Sequence, residues 1–192
     1  FTIASAQTAD SGYYGVVVAN SYNSVTSRVA TLIVGNIIPT LSGPADTTVI
    51  AGNNATFSTT VVLANPAPAL QWQTNGVDVA GATGTSLTLN SVPFSYDGMD
   101  VSVIATNLAG STTNHATLTV ITVPVISPQP TNLTVNVGDT ANFVSGASGV
   151  PTPTLRWYKN GVLISGANSG TLSIANTQGS DIANYWLVAS NS

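Results

Sequence analysis

The stretch that decides the fold is Asp181-Ile-Ala-Asn-Tyr-Trp-Leu-Val-Ala-Ser-Asn191, an aspartate followed by an alternating run that ends in asparagine. The same pattern occurs at Asp10–Asn20 and at Asp97–Asn107. The residues four, six and eight steps after each aspartate are apolar; in the last copy they are Tyr185, Leu187 and Ala189. A period of two is that of a β-strand with one buried face, so the sequence predicts three equivalent strands.

The three copies are roughly 85 residues apart, which makes the chain a tandem array of repeats. Two repeats also share a tryptophan strand, Leu70-x-Trp72 or Leu155-x-Trp157, followed by Asn-Gly. Asn-Gly is the strongest short signal for a type I′ hairpin turn. A further alternating strand is predicted at Leu87–Leu89, Leu172–Ile174 and Phe1–Ile3. Short strands with turn signals every 8–12 residues indicate a β-sandwich.

Charged residues are scarce in this chain. They make up 5% of the sequence, with three basic residues and a net charge of −4. Recognition of a phosphate backbone needs clustered lysines and arginines, so we expect no nucleic-acid partner. Hydrophobic residues make up 43%, which is enough for packed cores. No apolar run approaches the ~20 residues that span a bilayer, so we expect no membrane insertion in this segment.

These spaced features resemble the immunoglobulin superfamily, and most of all its intermediate (I-type) set. The strands of Trp72 and Trp157 resemble strand C, and the Asp-x-x-x-Tyr pattern at Asp10 and Asp181 resembles the tyrosine corner before strand F. The middle repeat has Val101 in place of the corner tyrosine. The resemblance covers the whole chain and implies an all-β fold of tandem immunoglobulin-like β-sandwich domains in an extended array.

The resemblance also divides the chain into three parts. Residues 1–36 correspond to strands E, F and G of a first domain, residues 37–121 to a complete domain, and residues 122–192 to a domain without strand G. Two explanations stay open: a segment of a longer array, or chains that complete each other by strand donation. The connections Gly35–Ile38 and Ile121–Val123 are too short and apolar for flexible linkers. Strand G should therefore run almost directly into the next strand A.

The family usually carries cysteines on strands B and F, and this chain has no cysteine. By alignment these positions are Thr59 with Val103 in the middle repeat and Ser145 with Leu187 in the last. No disulfide, thiolate metal site or thiol nucleophile is therefore available. A missing bridge lowers stability by roughly 2–4 kcal/mol. We expect the apolar residue on strand F to recover part of this loss by packing on the tryptophan.

Composition distinguishes two kinds of cysteine-free relatives. Domains of this kind resemble those of cytosolic muscle proteins, which are rich in lysine and glutamate, or those of bacterial secreted repeat proteins. This chain has one lysine and no glutamate, and its polar surface consists of Ser, Thr and Asn. It is therefore more similar to the bacterial surface type, which implies an extracellular or cell-surface location.

The titratable residues form no catalytic pattern in the sequence, and we expect neither an enzyme nor a cofactor or metal site. His115 is predicted to be an exposed strand residue. Asp97 and Asp181 are predicted to brace the turn before strand F through backbone hydrogen bonds. Calcium binding by Asp97 with Asp100 is an alternative, but no loop supplies several closely spaced carboxylates.

Three single residues allow other chemistry. Lys159 lies beside the Asn160-Gly161 turn, so we expect it to be solvated rather than crosslinked to an asparagine. Asn54-Ala-Thr and Asn132-Leu-Thr fit the N-glycosylation sequon. Such triplets occur by chance in a chain rich in Asn and Thr, and we interpret both in this way.

One group of residues stands out as a candidate contact surface. If Trp157 points inward, then Arg156 and Tyr158 point outward, and Trp186 does so on strand F. Strands C and F are neighbours in the immunoglobulin fold, which places Arg156, Tyr158 and Trp186 on one exposed face. Three interpretations stay open: cross-strand packing, protein–protein contact and stacking on a sugar. The equivalent residues of the middle repeat are Gln71, Gln73, Asp100 and Ser102.

The leading functional hypothesis is a non-catalytic structural module of an extracellular immunoglobulin-like repeat protein. It would serve as a stalk, fibre or filament component of a bacterial surface. The alternative is an adhesin or a carbohydrate-binding accessory module of a larger secreted protein. The implied partners are neighbouring immunoglobulin-like domains of the same protein, and homo-assembly, a surface glycan or another protein are the further alternatives.

Overall fold

The structure, a computed structural model, describes residues 1–191. These residues form 19 β-strands and three single-turn 3₁₀ helices, so the predicted all-β class is confirmed. None of these helices is long enough to cross a membrane. The chain separates into two compact units. The first comprises Phe1–Ala45, Thr56–Leu87 and Asp100–Thr117, and the second comprises Asp46–Ala55, Thr88–Met99 and the chain from Leu118 onward.

The first four strands have three residues each, and the later ones range from two to 17 residues. The first four are β1 (Gly12–Tyr14), β2 (Val17–Ala19), β3 (Ser24–Thr26) and β4 (Ala30–Leu32). The next nine are β5 (Ile37–Ser42), β6 (Thr47–Ile50), β7 (Ala55–Ser58), β8 (Thr60–Asn65), β9 (Ala69–Thr74), β10 (Val77–Asp78), β11 (Ser86–Leu89), β12 (Met99–Asn107) and β13 (Gly110–Ile126). The last six are β14 (Ala141–Val144), β15 (Ala147–Val150), β16 (Thr154–Lys159), β17 (Val162–Leu163), β18 (Thr171–Ile174) and β19 (Tyr185–Ser190). The 3₁₀ helices are Thr8–Asp10, Phe94–Tyr96 and Gly179–Asp181.

In the first unit, β9 pairs antiparallel with β10 and with β12. The turn between β9 and β10 has positive φ at both Asn75 (48°) and Gly76 (76°), so the predicted type I′ hairpin is confirmed. Trp72 lies directly opposite Val103 and is fully buried, as the alternation predicted. Its indole Nε1 donates a hydrogen bond to the carbonyl of Gly84 at 2.9 Å, which satisfies its only polar group.

The first 36 residues form two small antiparallel pairs, β1 with β4 and β2 with β3. The strand predicted at Phe1–Ile3 is not formed, and that prediction is wrong. A strand requires a hydrogen-bonded neighbour. The equivalent strand β11 has β7 as its neighbour, whereas residues 1–36 contain no counterpart of β7.

In the second unit, β16 pairs antiparallel with β17 on one side and with β19 on the other. Trp157 lies opposite Leu187 and is fully buried, in a core completed by Leu172 and several half-buried side chains. Its Nε1 donates to the carbonyl of Ser169 at 2.9 Å, the same bond that Trp72 makes to Gly84. The predicted tryptophan cores are therefore confirmed in both repeats.

Strand β13 continues without interruption from Gly110 to Ile126, through the connection Ile121–Val123. Its residues Leu118–Ile121 pair in parallel with β6, and Thr122–Ile126 pair antiparallel with β15. The expectation that one strand runs directly into the next is confirmed at this connection. At the other connection, four residues separate the end of β4 from the start of β5.

The positions that carry cysteines in the resembled family hold one polar and one apolar residue. Thr59 is buried and its hydroxyl donates to the carbonyl of Ser42 at 3.3 Å. Ser145 is buried and donates to the carbonyl of Pro128 at 2.8 Å. Each hydroxyl is thus satisfied by a backbone carbonyl, which avoids the cost of an unpaired buried polar group. The apolar members, Val103 and Leu187, face the tryptophans as expected.

Candidate contact surface

Three side chains form a row across the sheet of β17, β16 and β19. Tyr158 lies opposite Leu163 on one side and opposite Trp186 on the other. The Tyr158 and Trp186 rings are nearly parallel, with an interplanar angle of 7° and centroids 5.9 Å apart. Leu163 is 45% exposed and Trp186 39% exposed. We call these three residues the aromatic row.

Two further rows follow on the same face of β16 and β19. Arg156 lies opposite Val188, and both side chains are exposed. Thr154 lies opposite Ser190, with their hydroxyl oxygens 3.0 Å apart. Successive rows are about 7 Å apart, because alternate residues of a strand share a face. We call the aromatic row together with these four residues the outer face.

Within residues 1–191 the guanidinium of Arg156 makes no side-chain hydrogen bond or ion pair, although its backbone belongs to the β16–β19 ladder. It is exposed and lies one row from Tyr158 and Trp186. The predicted candidate residues Arg156, Tyr158 and Trp186 are thus brought together on two neighbouring strands. An unpaired guanidinium keeps all five of its N–H donors available to a ligand. Whether this face contacts a partner stays a prediction.

The equivalent row of the middle repeat is polar. Gln73 lies opposite Asp78 on one side and Ser102 on the other. Its amide Nε2 donates to Asp78 Oδ1 at 2.8 Å. The neighbouring Gln71 donates to the carbonyls of Trp72 and Val79, both at 2.8 Å. Gln73 and Gln71 thus donate to partners within the repeat, and the row leaves no aromatic surface.

Ser102 corrects one expectation about this polar row. The alignment placed it outward and exposed, like Trp186, but it is only 1% exposed and its hydroxyl has no hydrogen-bond partner. Its strand β12 has a neighbour on each side, β9 and β13. Within residues 1–191, the equivalent strand β19 pairs only with β16. The short side chain of Ser102 is therefore covered by side chains of the strands on both sides, whereas the longer side chain of Trp186, on β19, stays partly exposed.

Lys159 corrects a second expectation, because it is not simply solvated. Its Nζ donates to Asp181 Oδ1 at 2.9 Å and to the carbonyl of Ser180 at 3.1 Å, and it lies 5.9 Å from the centroid of the Tyr185 ring. The hydrogen bond to Asp181 raises the pKa of Lys159. The same bond lowers the pKa of Asp181, with a further contribution from the backbone N–H of Gln178. The pair ties the end of β16 to the turn before β19.

Asp181 and Asp97 both accept a backbone N–H, as predicted, but from different parts of the chain. Asp181 Oδ2 accepts the backbone N–H of Gln178 at 3.0 Å. Asp181 is the last residue of its 3₁₀ helix, whereas Asp97 is the residue that follows the Phe94–Tyr96 helix, so the two carboxylates start from different positions. Asp97 Oδ1 instead accepts the backbone N–H of Val120 at 2.8 Å. Asp97 therefore holds its turn against β13 through a backbone hydrogen bond, rather than closing the turn on itself as Asp181 does.

The predicted tyrosine corners are confirmed. The hydroxyl of Tyr185 donates to the carbonyl of Asp181 at 2.9 Å, and that of Tyr14 donates to the carbonyl of Asp10 at 2.6 Å. Tyr185 also stacks on Phe143, with ring centroids 4.8 Å apart. The corner therefore fixes the start of β19, from which Trp186 extends on the opposite face.

Sequence reasoning missed the role of the asparagine that ends each copy of the motif. Asn191 Nδ2 donates to the carbonyls of Thr122 and Pro151, at 2.8 and 3.0 Å. Asn107 makes the equivalent bonds to Ile37 and Pro66, at 2.7 and 2.9 Å. Each asparagine thus joins the start of its repeat to the proline loop before the tryptophan strand. Its recurrence at a fixed position was the signal in the sequence.

His115 forms a structural contact with a neighbouring carboxylate. His115 is exposed, as predicted, with Nδ1 3.0 Å from Asp100 Oδ1. Among residues 1–191, no three His, Cys, Asp or Glu side chains converge in a way that could hold a metal ion.

An apolar groove of about 370 Å³ borders the start of β19. The side chains that line it include Leu133, Val135, Phe143, Ile174, Ile182 and Tyr185. The residues at 133–136 are equivalent to β6 but form no strand. Strand β6 pairs with β13, and no strand of residues 1–191 pairs with residues 133–136.

Comparison with known proteins agrees with this architecture. The family model of the immunoglobulin domain matches residues 123–191. Over the whole chain, the structure is similar to Sidekick-1 immunoglobulin domains 1–4, with a TM-score of 0.71, 25% identity, and coverage of 98% of this chain and 57% of that one. The chain therefore contains an immunoglobulin-like domain at 123–191 and has the fold of tandem immunoglobulin repeats.

Two curated relatives are similar in sequence. Endoglucanase C of Cellulomonas fimi is 37% identical over 120 residues, which cover 59% of this chain and 11% of that protein. The cell adhesion molecule-related/down-regulated by oncogenes protein of Xenopus laevis is 30% identical over 196 residues, which cover 93% of this chain and 16% of that protein. The chain thus spans only a small part of either relative. The intermediate set and the bacterial surface type stay predictions.

Proposed function

We propose that this chain is a non-catalytic module of an extracellular protein built from immunoglobulin-like repeats. One observation carries the proposal: the two repeats keep the same framework while their outer faces differ. Trp72 and Trp157 make the same indole hydrogen bond, and Asn107 and Asn191 make the same pair of backbone bonds. Residues that maintain a fold are expected to recur in each repeat, as these do. A domain that serves only as a spacer needs its core but no particular surface, so its outer face is free to differ between repeats.

The side chains that could perform acid–base chemistry are bonded to one another, which supports a structural role for the chain. His115 faces Asp100, and Lys159 is bonded to Asp181. A catalytic site needs a nucleophile or base directed toward a space for substrate. The apolar groove beside β19 supplies space, but its one titratable carboxylate, Asp181, is bonded to Lys159 and to the backbone of Gln178.

We further propose the predicted division into residues 1–36, 37–121 and 122–192, and a stalk, fibre or filament of a bacterial surface as the setting. The low content of lysine and glutamate supports this setting. Neighbouring immunoglobulin-like domains of the same protein are the proposed partners. The cell-adhesion name of the Xenopus relative supports an extracellular location.

A second candidate function is an accessory module of a larger secreted protein that acts on polysaccharides. The similarity to endoglucanase C favours it, because the name of that relative describes a polysaccharide-cleaving enzyme and the chain matches only 11% of its length. The aromatic row favours it as well, since exposed aromatic rings stack on sugars.

Two experiments test the leading proposal. Protease treatment of intact source cells should release fragments that contain residues 37–121. Release only after lysis would contradict the extracellular location. In the second experiment, residues 37–121 of the full-length protein are replaced by an unrelated cysteine-free immunoglobulin-like domain. The stalk, fibre or filament should still form on the cell surface. Its loss would show that this repeat is more than a spacer.

A further inference from the structure

We propose that the outer face of the last repeat binds a polysaccharide that carries carboxylate groups. The proposal rests on the second candidate function and specifies the chemical class of the polysaccharide. Three features of the outer face support it: parallel aromatic rings, an unpaired guanidinium and a pair of exposed hydroxyls, arranged in successive rows along β16 and β19.

The aromatic row supplies an apolar surface for the C–H face of a sugar ring. Tyr158 and Trp186 have ring planes within 7° of each other, and Trp186 is 39% exposed. Cross-strand packing alone does not require these residues, because Gln73 and Ser102 occupy the same opposed positions in the middle repeat. The aromatic pair is therefore an addition to a sheet that forms without it.

Arg156 supplies charge complementarity. The chain has a net charge of −4 and three basic residues. Of the two in the last repeat, Lys159 is bonded to Asp181, whereas Arg156 is exposed and unpaired among residues 1–191. A guanidinium binds a carboxylate through two parallel N–H···O bonds. One cation can bind one carboxylate of an acidic polysaccharide at a time and is too few for a phosphate backbone, which needs clustered basic residues.

The geometry of the face fits a linear polymer better than a peptide. The rows of Tyr158, Arg156 and Thr154 extend over about 14 Å along β16. Strand β16 has hydrogen-bonded neighbours on both sides, and the rows of side chains project from the flat side of the sheet rather than from its edge at β19. Peptides commonly bind by adding a strand to an open edge or by filling a groove. The Thr154 and Ser190 hydroxyls lie in the last row, where Thr154 Oγ1 is 3.1 Å from the Ser190 carbonyl and 3.0 Å from Ser190 Oγ. Their remaining acceptor lone pairs can bond to sugar hydroxyls.

Affinity electrophoresis of the full chain tests the proposal with polygalacturonate, alginate, a neutral glucan and polyglutamate in separate gels. We expect retardation by an acidic polysaccharide, weakened by salt because charge contributes. Arg156→Gln and Trp186→Ser give the outer face the residues of the middle repeat, and each should weaken binding at least tenfold. Gln73→Ala, at the position equivalent to Tyr158, is the matched control and should bind like the unmodified chain.

Three results would overturn the proposal. The first is no retardation by either acidic polysaccharide. The second is equal retardation by polyglutamate or the neutral glucan, which would indicate a generic polyanion site or a ligand without carboxylates. The third is retardation that Arg156→Gln leaves unchanged; this exposed substitution should not affect folding, which the unfolding midpoint checks. None of these results affects the spacer proposal, which the domain replacement tests separately.

Discussion

Tyr158 and Trp186 lie directly opposite each other on β16 and β19 with their rings nearly parallel, whereas Gln73 and Ser102 hold the same two positions in the middle repeat. On the other face of these strands, both repeats place a tryptophan opposite an apolar residue: Trp157 faces Leu187 and Trp72 faces Val103. The inward face therefore determines the fold, and the outward face is where the two repeats differ.

Replacing Trp157 by alanine should lower the free energy of unfolding by about 3–5 kcal/mol, because it removes a fully buried aromatic side chain and leaves a cavity. Denaturant titration measures this loss. Leu163→Ala, an exposed substitution on the outer face, is the control and should cost well under half as much. A loss below about 1 kcal/mol for Trp157→Ala would mean that the core lies elsewhere.

Replacing Asn107 by aspartate should lower the free energy of unfolding by about 1–2 kcal/mol. Aspartate keeps the oxygen that accepts the N–H of Ala109 but cannot donate to the carbonyls of Ile37 and Pro66. Asn107→Ala should cost at least as much. Chemical denaturation and hydrogen exchange near Ile37 provide the measurement. If the aspartate variant were as stable as the unmodified chain, the asparagine would act only through its acceptor.

Acid should destabilise the last repeat through Asp181. Its pKa is lower in the folded chain than in the unfolded chain, chiefly because of the hydrogen bond from Lys159. The unfolded chain therefore binds the proton more readily, and the stabilisation is present above pH about 4 and lost as the pH falls through the folded-state pKa. Lys159→Met removes the partner and should flatten this dependence between pH about 5 and pH about 2. An unchanged acid dependence in the variant would contradict the pairing.

At alkaline pH the same pair should lose its stabilising effect because Lys159 loses its proton. The pKa of Lys159 is raised in the folded chain, again chiefly by Asp181, so its stabilising contribution is fully present below pH about 10.4 and disappears as the pH rises through the folded-state pKa. The difference in unfolding free energy between the unmodified chain and Lys159→Met should shrink over this range. A constant difference would show that the lysine acts by packing alone.

Local pattern was enough to predict the strands and the cores of the second and third copies of the motif. It failed in the first copy, which is divided into β1 and β2 and leaves Val16 and Val18 exposed. The period of two on β12 and β19 identified the inward residues, and the Asn-Gly pairs identified both hairpins, because these signals depend on neighbouring residues only. The stacked pair Tyr158 and Trp186 could also be predicted, since alternation fixes the face and the resemblance fixes the neighbouring strand.

The incorrect expectations depended on residues distant in sequence. Phe1–Ile3 forms no strand without a neighbouring strand. Ser102 is buried because β12 lies between two other strands. Lys159 reaches Asp181, 22 residues away, and Asp97 accepts the backbone N–H of Val120, 23 residues away. The pattern of a single strand contains no information about such partners, so these contacts required the structure.

The central claim is that the outer face of the last repeat is not needed for folding. The double variant Tyr158→Gln with Trp186→Ser gives this face the opposed pair of the middle repeat, and its unfolding free energy tests the claim most directly. Cross-strand pairs contribute roughly 0.2–1 kcal/mol, so we expect a loss of less than about 1 kcal/mol together with an unchanged core. A loss of about 3 kcal/mol or more, comparable with Trp157→Ala, would show that the aromatic pair maintains the fold and would contradict a contact surface.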